Sequence, residues 1–119
     1  TKANLARPVF QFGQEVHGPG FEGDPSWDTF ASQQSGPFEW LTVNGSKHSD
    51  FSDGTFWKTF DEGFTSLGPI GGLEMVRIVR RYVRAWFDHT LLGVKRPILR
   101  GDLGQFEDAN YVHTIWQRM

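Results

Sequence analysis

The chain has 119 residues, 38% of them apolar and 22% charged, with a formal net charge of −2, which fits one small domain or a piece of a larger one. That charge gives no electrostatic reason to expect nucleic acid or an anionic membrane as partner. The lack of cysteine excludes disulfides, thiolate-bound zinc and a cysteine nucleophile, and no apolar run approaches the ~18–20 residues of a membrane span.

Eleven Phe and five Trp bury large areas each, so a core is attainable, while fourteen Gly and six Pro commit much of the chain to turns. No signal peptide is visible, and a start at Thr1 in place of Met reads as a processed or trimmed end. A nucleophilic N-terminal Thr1 belongs to stacked antiparallel sheets, which the pattern below does not match.

Arg7 to Gly13 reads as a short strand closed by glycine, with Pro8 at a position that needs no ladder hydrogen bond. Gln14 to Asp24 is loop chemistry. Ser26 reads as the N-cap of a short helix over Trp27–Gln34, stopped by Ser35-Gly36-Pro37. Phe38 to Val43, aromatic and β-branched between Pro37 and Asn44-Gly45, is the next strand. A polar loop, Gly45 to Asp53, follows. The clearest element is a helix over Gly71–Leu92, where Val76, Val79, Val83 and Phe87 recur at helical spacing, flanked by Met75, Ile78, Tyr82 and Trp86. Arg77, Arg80, Arg81 and Arg84 fall mainly on the other side and read as a solvated face. Gly93 supplies the stop. Past it, Pro97-Ile98-Leu99 is one short apolar segment in otherwise mixed sequence.

Strands alternating with helices predict an α/β fold with a parallel sheet. Two strands leave an open apolar edge, so the piece is expected to complete a mostly parallel sheet supplied by another chain or fragment.

The four histidines, His17, His48, His89 and His113, show no metal-binding spacing. No phosphate-binding loop, dinucleotide fingerprint or Gly-x-Ser-x-Gly elbow occurs. His48 stands apart by position. It follows the Phe38–Val43 strand on a Gly-Ser loop, at the strand end where parallel sheets gather catalytic groups.

Gly45-Ser46-Lys47-His48, with Phe51, Asp53, Thr55 and Phe56 at their present spacings, resembles the histidine motif of platelet-activating-factor acetylhydrolase-like α/β-hydrolases. The strand starting Arg7-Pro8-Val9-Phe10 is similar to that family's penultimate core strand. The segment Ala85 to Gly93 resembles the C-terminal helix of its secreted and fungal-type members. The resemblance covers about residues 5 to 93 and implies the C-terminal portion of an α/β-hydrolase fold: last core strands, His loop and C-terminal helix. Residues 1–93 then form the hydrolase part and 94–119 a tail, and the likeness to secreted members leaves secretion open as the compartment.

What the resemblance implies chemically is a Ser-His-Asp carboxylic ester hydrolase acting on a short acyl ester or lactone, without metal or cofactor. His48 becomes the triad base, Phe51 and Phe56 pack beneath its loop, and Asp53 caps the next segment. The triad acid is either Glu15, after the penultimate strand, or a residue one strand earlier and upstream of Thr1, the position that the acetylhydrolase-like branch uses. Asp24 is a weaker alternative. Trp57 is a candidate wall of the acyl or leaving-group pocket. Ser46 is too close to His48 to be the nucleophile, so the serine and the oxyanion hole are expected on an N-terminal fragment or companion chain. The competing readings are a non-catalytic binding or structural subunit on the same fold, and acyl transfer or cyclisation in place of hydrolysis.

Overall fold

The structure is a computed structural model that describes residues 4–18, 20–57, 67–100 and 112–118. In chain order its elements are strand β1 (Val9–Gly13), helix α1 (Ser26–Gln33), strand β2 (Phe38–Val43), a 3₁₀ turn at His48–Phe51, the one-turn helix α2 (Gly54–Trp57), the long helix α3 (Gly72–Leu92), a second 3₁₀ turn at Pro97–Arg100, and strand β3 (Val112–Arg118).

The strands form one sheet in the order β1-β2-β3. β1 runs parallel to β2, with Val9 opposite Phe38 and Gly13 opposite Thr42. β3 runs antiparallel on the other edge of β2, with Phe38 opposite Arg118, and a register shift falls between Thr42 and Val43. The expectation of a parallel pair therefore holds for β1 and β2. The antiparallel return of β3 corrects the picture of a two-stranded piece with mixed sequence at its end. Thr1 lies outside the described residues.

Side chains alternate across β2 and divide the core in two. Phe38 and Trp40 point to one face, where Ala31, Phe30 and Trp27 of α1 cover them together with Val9. Leu41 and Val43 point to the other, where they meet Met75, Ile78, Tyr82, Ala85 and Trp86 of α3 and Ile98 and Leu99 of the second 3₁₀ turn. Every residue of β2 is buried, as expected of a strand covered on both faces and paired on both edges.

Two local expectations are corrected. Ser26 is not the N-cap but the first residue of α1, and Pro25 holds the cap position without a side-chain bond. The capping acceptor is the carboxylate of Asp24, which takes both the N–H and the hydroxyl of Ser26. On α3 the buried face is Gly72, Met75, Ile78, Tyr82, Ala85 and Trp86. The stripe Val76, Val79, Val83 and Phe87 is the flank beside it: the three valines are half-buried and Phe87 is 53% exposed. α3 stops as expected at Gly93, which adopts a left-handed conformation (φ 68°) and donates its N–H back to the helix.

Candidate functional site

Because β1 and β2 are parallel, their C-terminal ends, Gly13 and Val43, lie at the same end of the sheet. The loops that follow them face each other across a cleft of about 820 Å3. β1 and its loop contribute Phe12, Gln14, His17 and Asp24, and α1 contributes Trp27. The loop after β2 contributes His48, Ser49, Phe51 and Ser52. Phe12, Trp27 and Phe51 give the cleft an aromatic wall and the other six lining residues are polar, a mixture of rings and placed polar groups seen in small-molecule sites.

The turn that carries His48 is tied down by a residue the sequence reading missed. Asp50 is fully buried. Its Oδ2 accepts the N–H groups of Lys47 at 2.8 Å and Gly68 at 2.7 Å, and its Oδ1 accepts the hydroxyl of Thr55 at 2.8 Å. Nearby, the Ile70 N–H donates to the carbonyl of Gly45 at 3.0 Å. Ser46 is buried and donates its hydroxyl to the Val43 carbonyl at 2.8 Å, which closes the turn and occupies that hydroxyl. The backbone under His48 is thus fixed on both sides. The imidazole itself is exposed, and among the described residues it makes no hydrogen bond.

Asp50 displaces Asp53 from the role expected of it. Asp53 is exposed, and the start of α2 is held instead by the Ser52 hydroxyl, which accepts from the Gly54 N–H at 3.3 Å, and by Asp50 on Thr55. Phe51 and Phe56 do not pack beneath the loop either: they are 37% and 40% exposed. Phe51 sits at the cleft, 6.0 Å from the ring of Phe12.

The second imidazole, His17, has the opposite arrangement. Its side chain is 18% exposed and packs between Phe21 and Trp27, at centroid distances of 5.2 and 4.8 Å. Nδ1 lies 2.8 Å from the Gln14 amide nitrogen and Nε2 lies 3.5 Å from Asp24 Oδ2. An amide nitrogen donates, so Nδ1 accepts and the ring proton sits on Nε2, facing Asp24. The main chain there is anchored as well, since Trp40 donates its indole N–H to the His17 carbonyl at 3.0 Å. Gly13 permits that approach: a Cβ at this position would lie 2.2 Å from the same carbonyl oxygen. The Ser26 hydroxyl, aided by its N–H and by His17, holds the Asp24 carboxyl below its usual range against the opposing effect of desolvation.

Of the other sequence candidates, Glu15 is exposed on the turn after β1 and is not among the cleft-lining residues. Its backbone N–H reaches the Ser46 carbonyl at 3.4 Å. Trp57 is 56% exposed on α2, edge-on to Phe56 and outside the lining of this cleft. Asp24 does line the cleft, with its oxygens engaged by Ser26 and His17. Among the described residues no three His, Asp or Glu side chains gather closely enough to hold a metal ion, and no helix is long and apolar enough to cross a membrane.

No protein-family model matches the sequence, and no curated protein matches it. Among solved structures, a ferulic acid esterase from Streptomyces cinnamoneus matches with a TM-score of 0.75 over 98% of this chain. The chain shares its fold with an esterase. Sequence identity is 22%, and the matched part is 35% of the esterase chain, so this chain spans about a third of that protein. The mixed α/β architecture, with its parallel pair, is therefore one found within an esterase.

Proposed function

We propose that the chain forms part of a serine esterase in which His48 is the general base and a nucleophilic serine comes from polypeptide outside these residues. The observation that carries this reading is the position of His48. A rigidly tethered turn holds it at the rim of an aromatic cleft, beyond the C-terminal ends of two parallel strands. The esterase fold match supports the same reading.

In this mechanism a His48 ring nitrogen accepts the serine hydroxyl proton as the oxygen attacks the ester carbonyl. The same nitrogen then gives that proton to the departing alkoxide. Water repeats the sequence in reverse on the acyl-serine, releasing the acid and restoring the serine. The acid that orients His48 is assigned upstream, because Glu15 is exposed on its turn and the oxygens of Asp24 are engaged elsewhere. Phe12, Trp27 and Phe51 suit an apolar or aromatic group on the ester; short acyl esters and lactones fit, as does an ester of ferulic acid.

The test is the turnover of 4-nitrophenyl acetate and methyl ferulate by the protein as its natural gene expresses it, before and after His48→Ala. Retained turnover of both esters would remove the reading. A second reading, a non-catalytic binding subunit, draws on the same unpartnered imidazole, which lacks an orienting carboxylate among the described residues. A fluorophosphonate probe separates the two: a labelled serine supports the enzyme, and clean absence supports the subunit.

A further inference from the structure

Helix α3 carries more apolar surface than its neighbours cover. At about 100° per residue, its apolar positions spread over roughly 240°, more than twice the ~100° stripe that one buried face requires. Half of that arc meets the sheet. The other half, Val76, Val79, Val83 and Phe87 with Leu73, is less covered: Leu73 is 64% exposed, and Leu73 and the three valines line a groove of about 740 Å3 edged by arginines.

The direction of this uncovered half is settled by what packs on either side of it. Val79 lies against the same core cluster as Phe10 and Phe12 of β1, and the Phe10 ring is 5.3 Å from Trp86. The opposite flank of α3, with Arg84, Ala85 and Asp88, faces the turn at Pro97–Ile98, where Arg96 donates to Asp88. The stripe therefore looks toward the β1 side of the sheet. That edge is itself open: among the described residues β1 pairs with β2 alone. Phe10 and Phe12 are only half-buried, and the amide nitrogen of Gln11 is buried with no partner among the described residues. A half-covered helix and an open strand thus meet at one corner.

We propose that this corner is a single docking surface for the polypeptide that supplies the serine, and that the occupant adds a strand beside β1 and lays an amphipathic helix along Val76, Val79 and Val83. An exposed parallel-sheet edge with half-buried phenylalanines calls for another strand, and a valine stripe at helical spacing calls for a helix packed alongside. Arg80, exposed and without a carboxylate partner among the described residues, sets the rim chemistry: the docking helix presents Asp or Glu there. The share of the esterase that this chain spans, 35%, leaves ample sequence for such a strand and helix. The proposal rests on the reading of the chain as part of a larger hydrolase.

The chain has no cysteine, so Val83→Cys places one thiol in the stripe, and Glu22→Cys places a comparator on an exposed loop. Each variant is expressed from the natural gene, purified in its native assembly and treated with a maleimide, and labelling is read at the peptide by mass. The stripe thiol of Val83→Cys is expected to label at least tenfold more slowly than the loop thiol of Glu22→Cys. A benzophenone maleimide on the stripe thiol is expected to cross-link to a helical, acid-edged segment outside these 119 residues. Arg80→Cys repeats the measurement at the rim without removing an apolar contact, should Val83→Cys fail to assemble. Equal labelling rates, cross-links confined to copies of this chain, or protection that appears only with phosphatidylserine–phosphatidylcholine vesicles would each overturn the proposal. Fluorophosphonate labelling of the same preparation keeps the two readings apart. A labelled serine with a freely reacting stripe thiol sinks the docking surface alone, and a protected stripe thiol with no labelled serine sinks the hydrolase and the occupant's role as serine donor while the covered strand-and-helix corner stands.

Discussion

Two loops leave the same end of the sheet, each bringing a histidine to one cleft, and they differ in what is held. In the loop after β1 the imidazole itself is bonded: Gln14 and Asp24 occupy both nitrogens of His17, and Phe21 and Trp27 flank its ring. In the loop after β2 the backbone is bonded through Asp50, and the ring of His48 is free among the described residues. A group that must exchange a proton needs a fixed origin and a ring nitrogen open to the proton's donor. His48 has both, and His17 has the character of a wall.

The contrast breaks most readily at His48. His48→Ala is expected to lower ester turnover by about 10^4-fold or more while leaving the urea midpoint unchanged, since the side chain is exposed; steady-state assays and a denaturation curve check both halves. Asp50→Ala comes next. It leaves the Lys47 and Gly68 N–H groups without their acceptor in a buried setting, a loss of about 3 kcal/mol in stability. Turnover falls with it as His48 loses its origin, and urea denaturation beside the ester assay reads both. His17→Leu keeps an apolar body of similar size, so turnover is expected to stay within about tenfold (~1.4 kcal/mol) and stability to fall by about 1 kcal/mol. A loss comparable to that of His48→Ala would reverse the roles assigned to the two rings.

The smallest effect is electrostatic. In Ser26→Ala the Asp24 carboxyl loses the hydroxyl that chiefly holds it down, and its pKa is expected to rise toward the ordinary 3.8; a carboxyl-detected NMR titration measures it. The sign follows from linkage. A carboxyl whose folded pKa is lowered contributes stability that is present above the unfolded value and is lost as pH falls through the folded one. The variant is therefore expected to be less stable than the parent above about pH 3.8 and to match it once pH falls below the lowered folded value.

β1, β2 and α3 were legible because each is bounded locally, by Pro8 and Gly13, by Pro37 and Asn44-Gly45, and by Gly93, and because the turn after β2 marked His48. What escaped was set at a distance. β3 pairs with β2 across more than sixty residues of chain, and Val-His-Thr-Ile-Trp-Gln-Arg carries no turn signal to announce it. Asp50 sits between serine and phenylalanine and reads as a solvated loop acid; only Gly68 and Thr55, brought in by the fold, make it a buried anchor. His17 was unreadable for the same reason, because Trp27 and Asp24 meet it only once α1 has folded back. On α3 the error was one of degree: an apolar arc this wide offers two equally good stripes, and periodicity alone does not say which meets the sheet.

The hydrogen at the α-carbon of Gly13 has a consequence for engineering. Where any other residue would carry a methyl or more, the His17 carbonyl comes to rest, held there by the Trp40 indole N–H. Gly13→Ala would drive that carbonyl outward from its indole tether, so the breadth of the opening is governed by one absent carbon beneath it. Under the proposed esterase reading, a library aimed at bulkier esters has its most economical starting point there, below the surface of the cleft.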